Sequence, residues 1–211
     1  LLIHCIGFSD IDILKVAKAG AHISWCPASN MLMFNTTCKI KKILEAGINV
    51  GLGTDSTHTG SENILAEIKY AREVYRNMYG EDLSAKILTN MVTKNPAKAF
   101  RMYDRTGSLD SSKWADMLVL KAHCDEPYEN LVQANMGDIE LLLRKGRPIY
   151  GEERFLDLLG GNVPENYSII KVNGRNMFIL GDPARLYREV RQKVKLKKIL
   201  SYLPFEPGKK D

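Results

Sequence analysis

No two cysteines in this 211-residue chain stand in a C-x-x-C spacing: Cys5, Cys26, Cys38 and Cys124 are scattered, which argues against a zinc finger and against a disulfide framework. They read as reduced thiols of a cytosolic protein, so a cytoplasmic location is expected. No run approaches the roughly 18 consecutive apolar residues of a membrane span. The chain opens on Leu1-Leu2-Ile3-His4-Cys5, without a methionine, a basic segment or a cleavage site, and its start resembles the middle of a strand. Aromatic residues make up only 8% of the chain and supply no stacking platform beside its basic residues, so nucleic acid is not an expected partner. From Pro183 onward nine Lys/Arg face three Asp/Glu, an excess larger than the whole net charge of +5. The basic character is therefore local, and it reads as a solvated helix face at Lys193, Lys195, Lys197, Lys198, Lys209 and Lys210. An ordinary 45% apolar content leaves enough material for a real core.

The stretch around which the rest is arranged is Ile48–Glu67. Its apolar, glycine-containing run Ile48-Asn49-Val50-Gly51-Leu52-Gly53 has the length of a buried parallel strand, and it stops at Thr54-Asp55-Ser56 before a helical pattern begins near Asn63. Asp55 thus falls at a strand's carboxyl end, the edge where parallel α/β folds bind ligands. A carboxylate there serves as a metal ligand, a general acid/base or a helix cap.

Upstream, Leu1–Ile6 reads as a strand carrying His4, Ser9 caps a helix over Ile11–Ala19, and Gly20 closes it. Ala21–Cys26 is a second strand, Pro27–Phe34 a loop, and Cys38–Ala46 a helix closed by Gly47. Strand, helix, strand, helix, strand with short links makes a run of βαβ units, whose right-handed crossovers put His4 and Asp55 at the same edge of one sheet. Helices are expected over Asn63–Met78 and Ser84–Val92, and from Pro96 to Met102 with Asn95 as the cap. Short strands follow at Arg105–Leu109, Ala115–Leu120, Glu140–Arg144 and Pro148–Tyr150, then a hairpin of Tyr167–Val172 and Met177–Leu180 around Asn173-Gly174. A last helix runs from Asp182 to about Leu203. The expected division is 1–102, 103–160 and 161–211.

Six pieces occur in a telling order: His4-Cys5; Cys26-Pro27-Ala28-Ser29-Asn30; Gly51-Leu52-Gly53-Thr54-Asp55; Asn95-Pro96-Ala97-Lys98-Ala99; Thr106-Gly107-Ser108-Leu109; and Ala115-Asp116-Met117-Leu118-Val119-Leu120. Together they resemble the C-terminal half of the amidohydrolase superfamily, in the branch of S-adenosylhomocysteine, guanine and cytosine deaminases and N-ethylammeline and atrazine chlorohydrolases. The resemblance covers about residues 1–151. It implies an α/β fold: strands six to eight of a TIM-type (β/α)₈ barrel over 1–102, then the C-terminal half of a small β-sandwich over 103–160, with a hairpin and basic helix after it. It also implies hydrolysis of a C–N or C–Cl bond in a cyclic nitrogenous substrate such as a purine, pyrimidine or triazine. Asp55 matches the metal-binding, proton-accepting aspartate of strand eight, and His4 the strand-six histidine beside the metal, a Zn or Fe ion in the full-length parent. His58, in the loop above, is the candidate substrate contact or else a solvated loop residue.

The four histidines, His4, His22, His58 and His123, contain no H-x-H pair, and Gly7 stands where an H-x-x-E would need its glutamate. The expectation is a fragment that binds no catalytic metal and is inactive alone, and whose open barrel edges pair with the missing N-terminal half or with a second copy of the chain. The alternative is a non-catalytic interaction or scaffold protein derived from a half barrel. Ser29-Asn30 read as a self-bonding turn or a substrate contact, and Glu62 and Glu67 as acids in a helix's first turn.

Overall fold

The computed structural model describes residues 1–195. The chain forms two compact units, one of Leu1–Lys113 with Ala122–Ala134, the other of Trp114–Lys121 with the described residues from Asn135 on.

The first unit is α/β. Strands β1 (Leu2–Ile3), β2 (His22–Trp25) and β3 (Asn49–Leu52) are parallel in the order β1-β2-β3, with Ile3 opposite Ser24 and Trp25 opposite Leu52. Helix α1 (Asp10–Lys18) joins the first two strands, and α2 (Pro27–Phe34) with α3 (Ile40–Glu45) joins the next two, as parallel neighbours require. Ser9 caps α1 in a reciprocal capping box with Asp12. Ile23, Trp25, Val50, Ile40 and Ile43 are fully buried and form the centre of the unit. Helices α4 (Ile64–Tyr79), α5 (Ala85–Val92) and α6 (Lys94–Ala99) follow, and α4 turns its Leu65, Ile68, Ala71, Val74 and Tyr75 stripe inward. Gly80 ends α4 at φ +69, and the Ser84 hydroxyl caps α5.

Several details depart from the sequence expectation. Pro27–Phe34 is a helix, not a loop: Pro27 sits at the first helical position, where its missing N–H costs nothing, and Asn35 closes the helix at φ 50. Asn95 is not a cap but lies inside α6, and its side chain donates to the Val50 carbonyl at 2.8 Å. Residues 105–109 form no strand: a turn ends at Arg105 and bends follow over 106–108. Pro127–Gln133 is an additional helix, α7, which belongs to the first unit through Arg72 of α4, bonded to both carboxylate oxygens of Glu129.

The second unit is one antiparallel sheet of β4 (Met117–Leu120), β5 (Ile139–Arg144), β6 (Arg147–Glu152), β7 (Tyr167–Val172) and β8 (Arg175–Leu180), in the order β4-β5-β6-β8-β7. The hairpin expected at Asn173-Gly174 is present, both residues having the positive φ that a two-residue turn of this hand needs (51 and 76). It belongs to the same sheet as the earlier strands, and the chain passes between the two compact units at Lys113/Trp114, Lys121/Ala122 and Ala134/Asn135. Leu141, Tyr167 and Phe178 fill one face beneath a 3₁₀ turn at Glu153–Leu159. Gly151 is required there, since a Cβ would lie 2.7 Å from the Phe178 ring. The other face, around Ile170, Val172 and Met177, borders an apolar cavity of about 420 Å³. Helix α8 (Pro183–Val194) is capped by Asp182 and closes at Lys195; the rest of the expected basic helix lies outside the described residues. Among the described residues no helix is long and apolar enough to cross a membrane.

Candidate functional site

At the carboxyl end of the parallel sheet the chain turns sharply after each outer strand. His4 and Cys5 take φ values of 66 and 53, and Asp55 takes 58, all in the left-handed region that non-glycine residues avoid. His4 still donates its backbone N–H to the Ser24 carbonyl (3.1 Å), and Gly53 donates to that of Trp25 (2.9 Å), so both turns leave from an intact ladder. The imidazole and the carboxylate then converge across the middle strand, with His4 Nε2 3.7 Å from Asp55 Oδ2 and each side chain about 30% exposed. The sheet thus brings together the two residues that the sequence singled out. His58 lies exposed in the loop after β3, where its backbone N–H donates to Ser56 Oγ.

Between the two stands helix α2, which starts directly behind the middle strand. Its neighbouring residues Ser29 and Asn30 are fully buried. Ser29 Oγ donates to Asp55 Oδ2 and lies 3.4 Å from Thr59 Oγ1. Asn30 Oδ1 meets His4 Nδ1 at 2.8 Å. The Ser29 bond first, then the Ser56 backbone N–H and, when the ring is protonated, His4, hold the Asp55 carboxyl below the usual carboxylate range. Asp55 is therefore ionised at neutral pH and able to accept a proton or to face a cation.

The start of α2 has no side-chain cap of its own. Glu67, on α4, supplies one from a distance: its Oε1 accepts the Ala28 N–H at 3.1 Å, while its Oε2 is buried without a partner. Burial pushes the Glu67 carboxyl up, against its bonds to Ser61 and Ala28. The loop from Thr54 to Gly60 is folded so tightly that a Cβ on Gly60 would overlap the Thr54 carbonyl oxygen at 1.5 Å. Cys26 and Cys38 are buried thiols raised to about 11 and about 12, chiefly by desolvation, and so are poor nucleophiles.

His4 and Asp55 are too few donors to hold a metal by themselves, and among the described residues no three of His, Cys, Asp and Glu converge as a metal site. The sequence offered Ser29-Asn30 as a self-bonding turn or a substrate contact, and Glu67 as an acid in a helix's first turn; it did not show that they bond Asp55, His4 and the Ala28 N–H.

Comparison with known proteins bears on the family of the chain. The chain is 31% identical over 163 residues to a 5-methylthioadenosine/S-adenosylhomocysteine deaminase of Pyrococcus abyssi, covering 72% of this chain and 38% of that one. The chain thus spans little more than a third of the length of such relatives. An adenosine deaminase of Xanthomonas campestris with bound zinc shares the fold, with a TM-score of 0.65 at 20% identity over 69% of this chain and 36% of the other. An atrazine chlorohydrolase of Arthrobacter aurescens, complexed with zinc, matches at 25% identity with a TM-score of 0.63, over 70% of this chain and 35% of its own. The model of the amidohydrolase family matches residues 1–149, and the chain belongs to that family.

Proposed function

We propose that this chain is the C-terminal part of a metal-dependent hydrolase that cleaves a C–N bond, as a deaminase, or a C–Cl bond, in a cyclic nitrogenous compound such as a purine, pyrimidine or triazine. In this reading β1 to β3 are strands six to eight of a (β/α)₈ barrel, and β4 to β8 are the C-terminal half of a small β-sandwich. One observation carries it: an ionised carboxylate and an imidazole face each other across 3.7 Å at the carboxyl end of a parallel sheet, where such folds do their chemistry. Asp55 takes a proton from the attacking water and returns it to the leaving group, and His4 steadies the substrate or the water beside it. His58 reaches the substrate from the loop. Asp55 would be one ligand of a metal whose other ligands come from outside residues 1–211, and the zinc named with two of the neighbours favours zinc over iron.

The deaminase names of the sequence relatives put purine nucleosides first among the compounds to try. The test is a deamination and dechlorination screen on the full-length parent, run beside the 211-residue chain, with metal analysis of both. The parent is expected to turn over at least one such compound, and its Asp55→Asn variant to lose about a hundredfold or more in kcat/KM. The shorter chain is expected to show neither turnover nor stoichiometric metal. A parent with no activity on the whole panel, or an Asp55→Asn variant that keeps full activity, overturns the reading.

A further inference from the structure

Successive residues on a helix point about 100° apart. A helix that starts behind the middle strand can therefore hand one side chain to each outer strand, as α2 does with Ser29 toward Asp55 and Asn30 toward His4. The hydrogen bonds behind Asn30 run in one direction. Trp25 Nε1, which can only donate, gives its hydrogen to Thr37 Oγ1 at 2.8 Å. Asn30 Nδ2 gives a second to the same oxygen at 2.9 Å. All three residues are buried, Trp25 and Asn30 completely. With its NH₂ committed to Thr37, Asn30 turns its carbonyl oxygen toward His4 Nδ1. An amide oxygen only accepts, so the hydrogen of that bond belongs to Nδ1. A neutral imidazole has one N–H. The nitrogen left bare is Nε2, the one that faces Asp55.

We propose that Asn30, oriented by Thr37 and Trp25, is a positioning residue that fixes His4 as the Nδ1–H tautomer and presents a bare Nε2 to the site, while Ser29 holds the carboxylate opposite. The consequence is a hydrogen-bonding polarity that the reacting partner must match. Neutral His4 accepts at Nε2 from an N–H or O–H of substrate or water, and it donates there only after taking up a proton. This rests on the reading of His4 and Asp55 as the site, but its test needs neither substrate nor metal. A wrong tautomer would therefore refute it while leaving the hydrolase proposal standing, and an inactive parent would do the reverse.

The measurement is the long-range ¹⁵N–¹H spectrum of the ¹⁵N-histidine-labelled 211-residue chain, at a pH where the ring is neutral, with His4 identified by its loss in His4→Gln. The expected spectrum has a protonated Nδ1 and a bare Nε2, in excess by about tenfold or more, the scale set by one buried hydrogen bond. In Thr37→Val the Asn30 amide is free to invert, and the excess should fall several-fold. In Asn30→Asp a carboxylate still accepts at Nδ1, and the tautomer should persist. A wild-type ring protonated mainly at Nε2 overturns the proposal outright, whatever the variants do. An unchanged excess in a folded Thr37→Val chain removes Thr37 from it.

Discussion

Asp55, His4 and Cys5 hold backbone conformations that cost L-residues roughly 1–2 kcal/mol each. Such strain persists where the surroundings over-determine it. Here the over-determination is visible in the buried partners of α2, and Glu67 secures that helix in turn. Its carboxyl is fully buried with one oxygen unpartnered, and desolvation outweighs the bonds from Ser61 and Ala28, so its pKa in the fold lies above the ordinary 4.5. A raised carboxyl binds its proton more tightly in the folded than in the unfolded chain. Its stabilising contribution is therefore full below the unfolded value and is lost as pH rises through the folded one. Glu67→Gln keeps an acceptor for the Ala28 N–H but cannot ionise. Compared by urea denaturation from about pH 4 to pH 8, the variant should gain on the wild type as pH rises above 4.5. A variant that instead lost ground with rising pH would mean that the ionised form is favoured, by the start of α2 acting as an anion site. Asp55 and His4 were legible because strand ends betray themselves in sequence. Ser29 and Asn30 stood out only as a turn or a substrate contact: each bonds a partner 26 positions away, and Glu67 bonds one 39 away, so no local pattern could announce those partners.

At the scale of elements, the glycine-closed helices were readable because Gly20, Gly47 and Gly80 all take positive φ, as helix ends of this kind require. Helix α2 was not, since Pro-Ala-Ser-Asn has turn composition, and the bonds that Ala28, Ser29 and Asn30 make to Glu67, Asp55 and His4 lie far off in sequence. The small β unit was read strand by strand. Its unity was hidden because the β6–β8 pairing spans residues that no turn connects. Asn95 shows the same limit, a would-be cap recruited to tie α6 to β3. Its Nδ2 donates to the Val50 carbonyl at 2.8 Å, and its own carbonyl accepts from Asn49 Nδ2 at 2.9 Å. Asn95→Ala leaves the Val50 carbonyl short of that donor and should cost about 1–2 kcal/mol in urea denaturation. Because β3 carries Asp55, the variant should also weaken the Gly53–Trp25 backbone bond that starts the site loop, seen as faster amide exchange at Gly53. Unchanged stability and exchange would show that α6 is held to β3 by its apolar contacts alone.

For the whole molecule the informative feature is a parallel sheet of three strands, β1-β2-β3. A parallel sheet normally has both faces and both edges covered, or closes into a barrel that has no edges. In the first unit the outer strand β1 is only two residues long, with Ile3 57% exposed, and on α1 Ile11 and Leu14 are 65% and 66% exposed. On α2 the far end leaves Leu32 and Phe34 uncovered. Chain that relatives possess and residues 1–211 do not would be the natural cover, because the match to the Pyrococcus deaminase accounts for 38% of that protein. On the half-barrel reading, the exposed apolar surface and the free edge pair with a second copy when that cover is lacking. Sedimentation velocity on the 211-residue chain should therefore show reversible, concentration-dependent association. Leu14→Glu, on an exposed helix face whose loss leaves the buried Ile13 and Val16 in place, should shift it toward monomer without lowering thermal stability by more than about 0.5 kcal/mol. A monodisperse monomer at every concentration would mean that this edge satisfies itself in water, and the half-barrel reading would lose the physical reason it gives for a missing partner.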